Sequence, residues 1–311
     1  VSAPPAAGRA VRQGAFPGSA GGNARDAAGR PRQLAVELCV DDVAGALLAE
    51  RSGLDRIELC SALSEGGLTP SIGTVGRTLE VVEHVGVQVL VRARPGHFTY
   101  DEDEVVAMER DIDAIARLDH ADGVTVGFVL GALTPAAALD MQVLRRLLEA
   151  CGPAPVTFHR AFDLVGDLDA ALEELATTGV SRVLTSGGAP TAAAGATTLA
   201  RLVATTRSWR TGAGRELRER DGDPRVGISI IAAGGVRAGN VTELVARTGV
   251  SDVHVSARTT VPQGNGPPAV SLTASPVPTG SASRPDPVGL DALCAALAPW
   301  RDAGASARGQ R

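Results

Sequence analysis

Eight short apolar runs, each followed by a longer segment with helical periodicity, recur between residues 34 and 300, and this repetition restricts the fold more than any other feature. The runs are LAVELCV (34–40), DRIELC (55–60), VQVLVRAR (87–94), ADGVTVGFVLG (121–131), PVTFHRAF (155–162), SRVLTSGG (181–188), VGISIIAAGG (226–235) and SDVHVSAR (251–258). Helices are predicted near 42–53, 72–85, 101–119, 136–150, 167–179, 195–207 and 240–248, and GLDALCAALAPW (289–300) supplies one after the eighth strand. Strands separated by helical crossovers form a parallel sheet. Eight such units over about 270 residues match a closed (β/α)8 TIM barrel of the α/β class rather than an open, doubly wound sheet.

The remaining segments are expected to lie outside this unit. Residues 1–32, rich in Gly, Ala, Pro and Arg and without periodicity, read as a disordered leader, and 303–311 as a flexible tail. Between them, 33–302 is expected to be a single barrel domain with flexible insertions at 207–225 and 261–288, the second rich in Pro, Gly and Ser. No run reaches the length of a membrane span and the first thirty residues lack the apolar core of a secretory signal, so the expected location is cytoplasmic.

A net charge of −5 without a basic stripe argues against a nucleic-acid partner. All 30 basic residues are arginine. Mechanisms that need a lysine amine, including Schiff-base aldol chemistry, pyridoxal phosphate attachment and a P-loop, are therefore excluded. The four cysteines, Cys39, Cys60, Cys151 and Cys294, follow neither a zinc-finger nor a disulfide pattern and read as reduced thiols, with Cys151 and Cys294 in helical packing.

Side chains alternate along a strand, so a polar residue between two apolar ones points away from them. If the apolar set packs on the helices, Glu37 and Cys39, Glu58 and Cys60, Arg92 and Arg94, Thr157 and His159, and His254 and Ser256 point into the barrel, and Ser186 near the end of strand six joins them. Unpaired buried charges cost about several kcal/mol each, so these carboxylates and guanidinia must neutralise one another or a ligand. Most lie late in their strands, toward the face where such barrels keep their active sites. A purely structural ion-pair network is the competing reading.

A second signal is AAGGVRAGNV (232–241), where Gly234 and Gly235 end strand seven, Arg237 follows and a helix begins. Bare amides at such a turn can cradle a phosphate or carboxylate, and Gly187 and Gly188 after strand six make a similar turn. By contrast, DEDE (101–104) reads as a solvated first helical turn.

ELCVDD, DRIELCSALSEGGLTPS, VTFHRAFD, LTSGG, GGVRAGNV and HVSAR stand here in the order and spacing of the CutC family, so from about Glu37 to Arg258 the chain resembles that family. The resemblance implies a cytoplasmic barrel with a role in copper homeostasis and Cu(I) on Cys39 and Cys60. Departures fall on strands three and four, with Ala93 where the family favours proline, His97 where it favours aspartate, and a longer GVTVGFVLG; the 261–288 insertion is also atypical.

Two functions are open at this point. One is copper binding, since soft thiolates on adjacent strands select Cu(I). The other is a lyase- or isomerase-type enzyme for a small anionic metabolite, with phosphorylated compounds among the candidates. There Glu37, Glu58, His159 and His254 would supply acid and base groups, with Asp163 orienting an active-site group or capping a helix; Arg92, Arg94, Arg160, Ser186, Gly187, Gly234, Gly235, Arg237 and Ser256 would bind the anion. Outer helices leave a homo-oligomer open, and no motif decides it.

Overall fold

The computed structural model describes residues 34–209, 227–262 and 281–301. The expected leader and tail, and positions 210–225 and 263–280 of the two insertions, lie outside the described residues. Eight parallel strands close into a barrel in sequence order. They are β1 Ala35–Val40, β2 Arg56–Leu59, β3 Gly86–Leu90, β4 Val126–Leu130, β5 Val156–Phe158, β6 Arg182–Thr185, β7 Ser229–Ala232 and β8 Asp252–Val255. Around them run α1 Val43–Arg51, α2 Ile72–Val81, α3 Glu102–Ala116, α4 Met141–Cys151, α5 Leu168–Ala176, α6 Ala196–Ser208, α7 Ala238–Thr248 and α8 Pro287–Arg301. This is the (β/α)8 TIM barrel that the eight strand–helix repeats predict. No described helix is long and apolar enough to cross a membrane.

Helix starts follow from local chemistry. The side chains of Asp42, Ser71, Asp101, Asp140 and Asp167 each accept a hydrogen bond from a backbone amide in the first turn of the helix that follows. Asp101 and Glu104 form a reciprocal capping box, so the DEDE run is a built helix start, with Glu104 additionally paired to Arg94. The outward strand residues, among them Val36, Leu38, Ile57, Leu59, Val87, Val89, Phe128, Leu130 and Phe158, join the helices in one continuous core.

The strand registers stack the inward side chains in levels contributed by alternate strands. The lowest carries Arg56, Gly127, Arg182 and Asp252, and the next Glu37, Gln88, Thr157 and Ile231. Above them come Glu58, Val129, Leu184 and His254, then Cys39, Leu90, His159 and Ala233. The barrel floor is therefore charged and its middle is half apolar. Gly127 is required at its level, because a Cβ there would stand 2.3 Å from Gln88 Oε1 and 2.5 Å from Pro155 O.

Two expectations need correction. The third strand ends at Leu90 and the fifth at Phe158, so Arg92, Arg94 and Arg160 leave from loops and short turns rather than from strand interiors. The insertion after β8 also starts and ends in structure: β9 Arg258–Pro262 and β10 Ser281–Pro285 pair antiparallel. Backbone pairing needs no apolar side chains, which is why Pro-, Gly- and Ser-rich sequence concealed this ribbon.

Candidate functional site

A network of buried charges and amides forms the barrel floor. Buried Arg56 donates from Nε to Glu37 Oε2 at 3.0 Å and from Nη2 to Asp252 Oδ1 at 2.7 Å. Arg182 donates to Thr157 Oγ1 at 3.0 Å and Gln88 Oε1 at 2.6 Å. The sequence reading missed Arg56, Arg182, Asp252 and Gln88, although Arg56 and Asp252 precede Glu58 and His254 by two residues and so share their face. The other oxygen of Glu37 accepts from His254 Nδ1 at 2.9 Å. Glu37 thus joins the floor to the mouth.

Above Glu37, strands β1, β2 and β8 bring Cys39, Glu58 and His254 together, with one ligand atom from each within 4.8 Å of the others. The Cys39 thiol reaches Glu58 Oε1 at 3.9 Å, and Cys39 Sγ lies 3.9 Å from Cys60 Sγ. Cys60, just past β2, also donates to Val40 O at 3.4 Å. The two thiols form a small buried cluster with Leu90 and Val129. Glu58 Oε2 is buried without a hydrogen-bond partner. The sequence rule therefore brings Glu37, Glu58, His254, Cys39 and Cys60 into one region.

The arginines divide. Buried Arg92 spends its terminal nitrogens on the backbone carbonyls of Glu65, Gly67 and Gly96, tying the β2 and β3 loops together, while its Nε has no partner. Arg94 turns outward to Glu104, His97 O and Thr99 O, so the expectation that it faces the pocket is corrected: it organises the loop leading into α3. Arg160 remains at the mouth, donating to Asp163 Oδ2 at 2.8 Å and Ser186 Oγ at 2.9 Å. A Cβ on Gly234 would stand 3.4 Å from Arg160 Nη1, so the bare Gly234 turn (φ +94°) lies against this guanidinium.

Asp163 is saturated: it also accepts from Thr185 Oγ1 and from the amides of Ser186 and Gly188. It clasps the β5 turn to the β6 loop and holds the Arg160 guanidinium and the Ser186 hydroxyl in place. Gly187 donates to Thr185 Oγ1 within that loop. Arg237 is exposed at the start of α7, where its backbone N–H donates to Asn240 Oδ1, and Gly235 O accepts from Asn240 Nδ2. Ser256 is exposed just past β8. His159 Nδ1 accepts from the Ala161 amide, its ring lies 4.7 Å from that of Phe98, and its buried Nε2 has no partner.

Residues 34–259 match the profile of the CutC family. The chain belongs to the CutC family. It is 40% identical over 237 residues to the human copper homeostasis protein cutC homolog, covering 76% of this chain and 78% of the relative. A CutC family protein of Caulobacter vibrioides is 42% identical over 224 residues, covering 72% of this chain and 81% of the relative. Among solved structures, a CutC from Streptococcus agalactiae superposes with a TM-score of 0.58 at 28% identity, covering 71% of this chain and 97% of that one.

In this CutC family member the buried groups titrate apart. Burial alone would raise the Glu37 carboxyl, but the His254 hydrogen bond and the Arg56 charge outweigh it and hold it at about 2. Burial pushes Glu58 the other way, helped by the charge of Glu37. For His254 burial opposes protonation, yet the charge of Glu58 and the contacts to Cys39 and Glu37 raise it well above its ordinary value. The hydrogen bond with Cys60, and then burial, raise the Cys39 thiol. His159 is lowered to about 3 by burial and the Arg92 charge, so it is a neutral donor at Nε2.

Because Glu37 is depressed in the folded state, its stabilisation is complete above an unfolded value of about 4.3 and disappears as pH falls toward about 2. In urea titrations across that range, the stability advantage of the native chain over Glu37→Gln should hold above about pH 5 and shrink steadily below it. An advantage independent of pH would contradict this assignment.

Proposed function

We propose that this CutC family member binds Cu(I) through Cys39 and Cys60, in a reducing compartment such as the cytoplasm. The observation that carries this reading is the pair of buried sulfurs 3.9 Å apart at the barrel mouth. Metal–thiolate bonds of about 2.3 Å span at most about 4.6 Å between two sulfurs, so one ion fits between them in a bent arrangement. Thiolates are soft and select Cu(I) over hard cations. Both thiols must lose their protons on loading, and copper displaces them despite the raised Cys39. The naming of the human relative as a copper homeostasis protein supports the same reading.

An anaerobic competition titration tests it. Cu(I) affinity is expected to fall at least about a hundredfold in a Cys39→Ser, Cys60→Ser double variant, as loss of both soft ligands demands. Equal, weak affinity in both proteins would overturn the ligand role.

A second reading rests on a different observation, the partly exposed Arg160 guanidinium set against the bare Gly234 turn beside Ser186. Here the barrel is a lyase- or isomerase-type enzyme for a small anionic metabolite, phosphorylated or carboxylated. Arg160 and the Gly234–Gly235 amides hold the anion, while Glu58 and the neutral His159 face the reacting part. Inorganic phosphate and a panel of phosphorylated and carboxylated metabolites should include members that raise the melting temperature, an effect lost in Arg160→Ala. A flat response across the panel would contradict this reading.

A further inference from the structure

The two-thiol pair does not use Glu58 or His254 as ligands. Glu58 belongs to the buried set at 7% exposure, and its Oε2 has no hydrogen-bond partner. A carboxylate oxygen buried in this way is costly unless a cation meets it. The floor supplies none at bonding distance, since Arg56 is committed to Glu37 and Asp252, and Arg182 to Thr157 and Gln88. His254 Nδ1 lies 4.0 Å from Glu58 Oε2 and already donates to Glu37.

We infer that Cys39, Glu58 and His254 form a second metal site, overlapping the thiol pair at Cys39, that takes a borderline dication of the Zn2+ class. Three arguments support it. First, the donors are one thiolate, one imidazole and one carboxylate, a mixed set suited to zinc-type ions, whereas Cu(I) is served by two sulfurs alone. Second, ligands on bonds of about 2.0–2.3 Å stand about 3.4–3.8 Å apart in a tetrahedron. The observed set lies within 4.8 Å, with Cys39 Sγ to Glu58 Oε1 at 3.9 Å, so closure needs side-chain shifts of about 1 Å or less. Third, Glu37 holds the His254 ring by accepting from Nδ1, the carboxylate–histidine arrangement that positions imidazole ligands and fixes their tautomer. Three protein ligands leave the fourth position open to water or to a substrate oxygen, as in catalytic zinc sites.

The inference does not require copper binding, and cobalt substitution separates the two. The full chain, reduced and anaerobic, is titrated with Co2+ and then with competing Zn2+. One equivalent of Co2+ is expected to give four-coordinate ligand-field bands with a thiolate charge-transfer band, both removed by Zn2+. Glu58→Gln and His254→Asn should each weaken Zn2+ binding at least about tenfold while leaving Cu(I) affinity within about threefold. Cys60→Ser should do the reverse, keeping the cobalt spectrum and losing Cu(I); circular dichroism and melting confirm that each variant is folded. No charge-transfer band, or a Zn2+ affinity unchanged in folded His254→Asn, overturns the dication site even where Cu(I) binds. Intact cobalt spectra with no Cu(I) binding would instead overturn the copper reading alone.

Discussion

Arg56 is the charge on which the barrel interior depends. Its guanidinium bridges Glu37 and Asp252, carboxylates from β1 and β8, while its own strand is β2. Three consecutive strands around the closure of the barrel are thereby tied through one side chain. Removing it would take the guanidinium from two buried carboxylates at once, leaving Glu37 to His254 and Asp252 to Ser251, a loss of about 3–5 kcal/mol for such an interior pair. Its charge also helps to keep Glu37 ionised, so that Glu37 can hold His254 at the mouth.

This hierarchy separates the polar groups that hold the barrel from those available for chemistry. Floor residues satisfy one another: Arg56 with two carboxylates, Arg182 with Thr157 and Gln88, and Asp252 with Ser251. Mouth residues do not, and Glu58 Oε2, Arg92 Nε and His159 Nε2 are all buried without a hydrogen-bond partner. Buried Ile231, Val129, Leu184 and Leu90 share these levels with the polar groups, and the apolar surroundings strengthen each electrostatic contact. Arg92 and Asp163 act as loop clasps: Arg92 meets the carbonyls of the β2 and β3 loops, and Asp163, in the turn after β5, meets the amides of the β6 loop.

Much of this was legible in the sequence because a parallel barrel imposes two simple periods. The spacing of strand and helix runs predicted the closed barrel, and period-two alternation in VELC and RIELC brought Glu37, Cys39, Glu58 and Cys60 to one wall. The same alternation extends one step back to Arg56 in DRIELC and to Asp252 in SDVHV, so the floor was written in the strands as well. Arg182 was harder to read, since the alternation of SRVLTSGG assigns no clear face. Arg94 was misread because VQVLVRAR looks like one continuous strand. The chain leaves the sheet after Leu90, and past that point alternation no longer dictates direction. Asp163 lies in a short 3-10 turn whose partners come from a loop 22 to 25 residues away, a contact that no local pattern encodes.

The central functional claim is that one copper ion sits between the two sulfurs at the mouth. X-ray absorption at the copper edge, on the full chain loaded with one equivalent of Cu(I), tests it most directly. The expected spectrum has a first shell dominated by two sulfur scatterers, one of which disappears in Cys60→Ser. A shell of nitrogen and oxygen alone, or a spectrum unchanged by that substitution, would contradict it.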